Sequence, residues 1–210
     1  RGLVATYSRI AEHPFSVDPA TLRRNDDPPD YIAFREAAIN LLIHQDYGDH
    51  NRNASLKWFT DRLVFWNPGD AFATTAQLLE SNEKDIRNPL IVNAFRRIGL
   101  SDQAGTGIRS IIRNWRELGR RTPRINNNKT DKSFELLLEN EPLITEAMQR
   151  FQASLGVALT PEQAAILALA AAQLTLNLTE ATIAAGGNIR LAHQALDFLC
   201  DQELLDSLDQ

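Results

Sequence analysis

Glu36, Asn40 and His44 recur at a spacing of four within the stretch FREAAINLLIHQDY, residues 34–47. On a helix, residues four apart stand one above another on a single face. A carboxylate and an amide one turn apart suit a hydrated Mg²⁺ and its phosphate. The Asn offers a neutral oxygen to the metal, and the Glu can orient or deprotonate a water. Three polar residues on a helix face serve equally well as solvated or structural groups, so the stripe needs company before it means a site. The company is two glycine-bearing turns. Asn67-Pro68-Gly69 follows the apolar run RLVFW, and Gly105 and Gly107 precede IRSII. Glycine at a helix start lets backbone approach a phosphate, and free N–H groups there bind anions.

The elements that must position these groups follow from pattern. Tyr31–Gln45 reads as a helix with Ala37, Ala38, Leu41 and Leu42 facing a core. ASLKWFT and RLVFWNP, on either side of Asp61-Arg62, read as a β-hairpin, and KSFELLLEN as a closing strand. TAQLLES is a short helix. Residues 87–100 form an amphipathic helix, with Asn88 expected as its cap and Pro89 at its first position. Residues 108–119 form a helix stopped by Gly119. Residues 17–30, dense in Pro and Asp, read as a loop or linker. Past Asn140 the texture becomes Ala/Leu-rich and acidic: a helix from Pro161 capped by Thr160, then helix, Gly turn, helix.

Charge divides along the same line. Residues 1–132 hold 20 Lys+Arg against 16 Asp+Glu, whereas 133–210 hold 2 against 11. The basic excess gathers between Arg109 and Lys132, where it forms either a solvated helix face or a patch for phosphate or an acidic partner. One cysteine, Cys200, excludes a disulfide framework and a cysteine zinc site and suits a reducing cytoplasm. No run is long and apolar enough for a membrane span. His44 and His50 with Asp46 and Asp49 lack the spacing of a zinc motif. No G-x-S-x-G offers a serine nucleophile, and no G-x-x-x-x-G-K-[ST] offers a motor P-loop.

REAAINLLIHQDY, DRLVFWNPG, RNPLIVNAFRRIGL and GTGI, in that order, resemble the divergent GHKL-type ATPase-like domain of a prokaryotic family. Its members carry labels such as transcriptional regulator or RecG-like helicase, and an AlbA/Schlafen-like domain often precedes it. The resemblance implies an α+β fold, a GHKL-like sandwich of a mixed β-sheet with helices on one face. It implies ATP and Mg²⁺ as ligands, with Glu36 as the water-activating base and Asn40 as the Mg²⁺ ligand. Asn67 and Gly69 fall where an Asp-x-Gly-x-Gly box holds adenine, and Gly105 and Gly107 where a glycine box cradles phosphate. Asn67 replaces the Asp, and Ala71 replaces the second glycine. Those changes point to nucleotide binding without efficient turnover. The missing P-loop argues against a helicase motor.

The same likeness sets the expected layout. Residues 1–30 are a linker or the tail of a missing upstream domain, 31–140 the ATPase-like domain, 141–157 a linker helix, and 158–210 a winged-helix-like domain. In that last part Asn188, Arg190, His193 and Gln194 are expected on a DNA-reading helix. Its acidity repels a phosphate backbone, so a helical bundle for homodimer contacts, with DNA affinity supplied by the missing upstream part or by the arginine-rich helix, is an equal expectation. The chain is thus expected to be a cytoplasmic transcriptional regulator whose partners are DNA or a second copy of itself. A slow Mg²⁺-dependent ATPase and a nucleotide-free association scaffold are the alternatives.

Overall fold

The computed structural model describes residues 2–10, 28–80, 86–100 and 107–207. In chain order these form α1 (Gly2–Ile10), α2 (Pro29–Ile43), β1 (Ser55–Trp58), β2 (Arg62–Pro68), α3 (Thr75–Leu79), α4 (Pro89–Arg97), α5 (Gly107–Glu117), β3 (Arg124–Asn128), β4 (Ser133–Glu139), α6 (Glu146–Ser154), α7 (Pro161–Gln173), α8 (Leu178–Ala184) and α9 (Ile189–Asp201). The linker expected at 17–30 lies mostly outside the described residues, as does Gly105.

The strands make one sheet in the order β1-β2-β4-β3. The α+β class is as expected, but the sheet is antiparallel among the described residues rather than mixed. The reason is local. β1–β2 and β3–β4 are each joined by a few residues, and a connection that short only permits antiparallel pairing. β3 was not anticipated, because RINNN is poor in strand-forming residues. The partner strand decides its conformation: Ile125 pairs with Leu136 and Asn127 with Phe134.

Alternation places Leu63, Phe65 and Asn67 of β2 and Phe134, Leu136 and Leu138 of β4 on one face. The core forms there, between that face and Ala33, Phe34, Ala37, Ala38 and Leu41 of α2 and Ile111 and Trp115 of α5. α2 is enclosed on more than one side, since Ile39 and Ile43 turn away from the sheet to pack on Val92 of α4. Tyr7 brings α1 into the same core. It is 4 % exposed, stacks on Phe34 at 4.0 Å and donates its hydroxyl to Asp30 at 3.0 Å.

Asn88 corrects an expectation. It precedes α4 but makes no side-chain cap to it. Its Nδ2 instead donates to the carbonyls of Ile43 (2.9 Å) and Gln45 (2.7 Å). Those carbonyls belong to the C-terminal end of α2, where helix acceptors lack intrahelical donors. Pro89 still opens α4 and needs no donor there.

A second apolar core gathers α7, α8 and α9 around Ile166, Ala181, Ala184, Ala192 and Leu199. Thr160–Gln163 and Asn177–Glu180 form complete capping boxes at the starts of α7 and α8. No strand occurs among residues 141–207, so the expected wing has no counterpart among the described residues. The helical unit rests on the sheet unit through an apolar trio, Leu79 of α3, Ile112 of α5 and Ile183 of α8. An ion pair of 2.8 Å between Arg116 and Glu162 reinforces that contact. Among the described residues no helix is long and apolar enough to cross a membrane.

Candidate functional site

At one end of the sheet, α2 and the strands enclose a cavity of about 60 Å³. Phe65, Phe134 and Leu136 form its sheet wall, Ala37 and Leu41 its α2 wall, and Leu78 of α3 and Ile108 of α5 close it. Into this apolar space come three polar side chains, Asn40, His44 and Asn67, together with Gly69 and Ala71. Helical spacing aligns Asn40 with His44, and sheet alternation puts Asn67 on the same interior face. Two separate periodicities thus converge.

Asn67 is 2 % exposed. Its Nδ2 donates to the carbonyls of Pro68 (3.1 Å) and Gly69 (3.2 Å). That network fixes the amide orientation and leaves Oδ1 as the group available to a ligand. Asn67 therefore presents an acceptor toward the cavity. Asn40 is the opposite case. Its Nδ2 is buried and, among the described residues, has no hydrogen-bond partner. An orphaned buried donor costs about 1–3 kcal/mol.

Gly107, the first residue of α5, lies so close that a Cβ there would stand 2.9 Å from Asn40 Nδ2. Any side chain at this position would crowd Asn40. Gly69 has φ +97°, and a Cβ there would meet Asp46 and Arg87 at 3.0–3.1 Å. Both glycines are needed for close approach, Gly69 also for its backbone conformation.

Glu36 does not line the cavity. It stands one turn toward the N-terminus of α2, where it faces Arg35 at 3.8 Å. His44 closes α2, its backbone N–H returning to Asn40. Asp46 N–H donates to Pro68 at 2.7 Å and the Tyr47 hydroxyl to Leu42 at 2.9 Å. The His-x-Asp-Tyr segment thus ties the end of α2 to the end of β2. Asp49 is taken up by Arg52 at 2.6 Å, and that hydrogen bond holds its carboxyl below the usual range. No cluster of three His, Cys, Asp or Glu suited to a metal occurs among the described residues.

The loop after Gly69 is held by residues that sequence reasoning did not single out. Asn127 Oδ1 accepts from Ala71 N–H at 2.8 Å, and its Nδ2 donates to Ala73 at 2.8 Å. Arg87 donates to the Asp70 carbonyl at 2.7 Å and lies 4.4 Å from the centre of the Phe72 ring. Lys129 pairs with the Asp70 carboxylate at 2.9 Å and donates to the Ala71 carbonyl. Partial burial opposes ionisation of Asp70, yet Lys129 outweighs it and, with Arg87, holds the carboxyl below its usual range. The triplet Asn126-Asn127-Asn128 carries no signal of this role until the register of β3 turns Asn127 inward.

In the helical unit, Asn188 caps α9 by accepting from the N–H groups of Arg190 (3.1 Å) and Leu191 (3.2 Å). Arg190, His193 and Gln194 are exposed on α9 and share that face with Asp197 and Asp201.

The sheet unit that holds this polar-tipped apolar cavity is similar, over part of its length, to a family of ATPase-like domains. Residues 51–138 match the family described as "Putative ATP-dependent DNA helicase recG C-terminal". The chain is also similar in structure to the DIP2311 protein from Corynebacterium diphtheriae, known from a crystal structure, with a TM-score of 0.54 and 19% identity. That match covers 93% of this chain and 40% of the other, so the chain spans well under half the length of that protein. At this identity the likeness concerns the fold. No curated protein matches the chain.

Proposed function

We propose that the chain is the nucleotide-sensing part of a DNA-associated transcriptional regulator, in which an adenine nucleotide enters the cavity and biases the position of the helical unit. The observation that carries this reading is the orphaned Asn40 Nδ2, buried in an apolar cavity beside an Asn67 locked as an acceptor. An apolar slot with one buried acceptor suits a purine bearing an exocyclic amine. Asn67 lacks the charge that would strengthen that hydrogen bond. Mg²⁺ would be held by the Oδ1 of Asn40 together with the nucleotide's phosphates, whose charge it would offset, and the orphaned Nδ2 would donate to a nucleotide oxygen. Gly107, where α5 begins against Asn40, would line the phosphate end with backbone.

The donor set fits a nucleotide, but the volume does not yet. Benzene needs an apolar cavity of roughly 150 Å³, and this one measures about 60 Å³. A purine must therefore displace a wall, and the movable walls are Leu78 and Ile108. Each belongs to an element that also carries the helical unit: Leu79 of α3 and Ile112 of α5 both pack on Ile183 of α8. Opening the cavity and shifting α8 are thus linked through two short helices. A binding-competent state that is seldom populated weakens apparent affinity in proportion, so binding is expected to be weak. Glu36, outside the cavity and facing Arg35, is not assigned a hydrolytic role.

The test is calorimetric titration of ATP and ADP, with and without Mg²⁺, into wild type, Asn40→Ala and Gly107→Val, each first shown to be folded by circular dichroism. Saturable heat in wild type that weakens in both variants supports the pocket. Absence of heat at millimolar nucleotide would overturn it and favour an association scaffold or homodimer module.

A further inference from the structure

The arginines of α5 do not all serve the same partner. Arg109, Arg113 and Arg116 follow one another at four and three residues, so they form one stripe. The turn between α8 and α9 lies across that stripe. A Cβ on Gly187 would stand 3.7 Å from Arg109 Cγ, and one on Gly186 would stand 3.0 Å from Arg116 Nη1. Both glycines have positive φ, +75° and +81°, and the turn nests directly on the arginine stems. Arg116 is neutralised by Glu162 at 2.8 Å. Arg109 and Arg113 have no acidic partner among the described residues, and the Nε of Arg109 is buried without a hydrogen bond. Arg113 is exposed.

This turn is also the start of α9, where Ile189, Arg190, His193 and Gln194 are exposed. α8, the four-residue turn and α9 have the order and turn length of a helix-turn-helix, a motif in which the first turns of the second helix meet the bases. The acids of α9, Asp197 and Asp201, lie toward its far end, two and three turns from Arg190. The cationic groups therefore cluster at the end a duplex would approach, although residues 133–210 as a whole are strongly acidic.

We propose that Arg109 and Arg113 of the sheet unit, with Arg190 of the helical unit, form one composite surface that grips the phosphate backbone of a DNA double helix beside the N-terminus of α9. With Arg190 as its one cation at this end, the acidic helical unit supplies little of that attraction from its own residues. The neighbouring unit supplies it through α5. This deepens the regulator reading, and the surface is tested without nucleotide, so a failed titration of ATP and a failed duplex measurement are separate results.

The measurement is fluorescence anisotropy of two unrelated labelled duplexes of about 30 base pairs, at salt from about 50 to 200 mM. Wild type is compared with Arg113→Ala, Arg190→Ala and, as a control away from the surface, Arg150→Ala. Arg113 and Arg190 are exposed, so both variants should fold, which melting curves verify. Each is expected to lower the slope of log affinity against log salt by about one, equally on both duplexes. Arg150→Ala should leave the slope alone. No duplex binding at the lowest salt, an unchanged slope in both variants, or equally tight binding of poly-glutamate would each overturn the proposal.

Discussion

Asn67 concentrates the difference between likeness and identity at this site. In the GHKL-type box this position is acidic, and restoring the acid looks like a repair. The geometry predicts the reverse. The Nδ2 of Asn67 faces the carbonyls of Pro68 and Gly69 at 3.1 and 3.2 Å. A carboxylate there would set oxygen against two oxygens in a buried position. Asn67→Asp should therefore destabilise the folded chain by about 1–3 kcal/mol at neutral pH, read as a lower urea midpoint. A smaller deficit is expected at acid pH, where the carboxyl takes up a proton and regains a donor. An Asp variant as stable as wild type at neutral pH would show that the amide is not locked this way. The sequence revealed Asn67, Asn40 and Gly69 through type and spacing. It gave no sign of Asn127, Arg87 or Lys129, because their partners, the backbone of the 70–73 loop and the Asp70 carboxylate, lie more than fifteen residues away.

At the level of elements, capping illustrates what local pattern can and cannot deliver. Thr160 and Asn177 cap the helices that follow them, as sequence rules expect, because donor and acceptor lie three residues apart. Asn88 occupies the same kind of position but spends its amide on α2, across a tertiary contact made by Ile39, Ile43 and Val92. Removing it should act on α2 rather than α4. Asn88→Ala leaves the Ile43 and Gln45 carbonyls without this donor and is expected to cost about 1–2 kcal/mol. Hydrogen exchange should quicken at the last turn of α2 and at His44, with the first turn of α4 unchanged. Faster exchange confined to α4 would return Asn88 to the role its position suggests. Hairpins and amphipathic helices were legible for the same reason as the local caps. β3 was not, since its pairing with β4, not its composition, makes it a strand.

Across the whole molecule, two apolar cores meet at Leu79, Ile112 and Ile183 and at one ion pair. Whether they behave as one body can be read with the chain's own chromophores. All three tryptophans, Trp58, Trp66 and Trp115, belong to the sheet unit, whereas α6 to α9 contribute much of the helix signal. If the junction couples the units, tryptophan fluorescence and far-ultraviolet circular dichroism give coincident thermal transitions in wild type. Ile183→Ala removes buried apolar contact at the junction, with an expected loss of about 2–5 kcal/mol. It should split the transitions, with helix signal lost before the tryptophans respond. Acid should loosen the same junction. Burial raises the Glu162 carboxyl, but the hydrogen bond from Arg116 and the local backbone outweigh it, so its pKa is lowered on folding. A lowered pKa stabilises above the unfolded carboxylate value and fades as pH falls through the folded one. The stability difference between wild type and Glu162→Gln should therefore be full at neutral pH and vanish in strong acid. Wild-type transitions that already separate at neutral pH would mean that the two units are not coupled, and a nucleotide in the cavity would then have no route to α9 through α3 and α5.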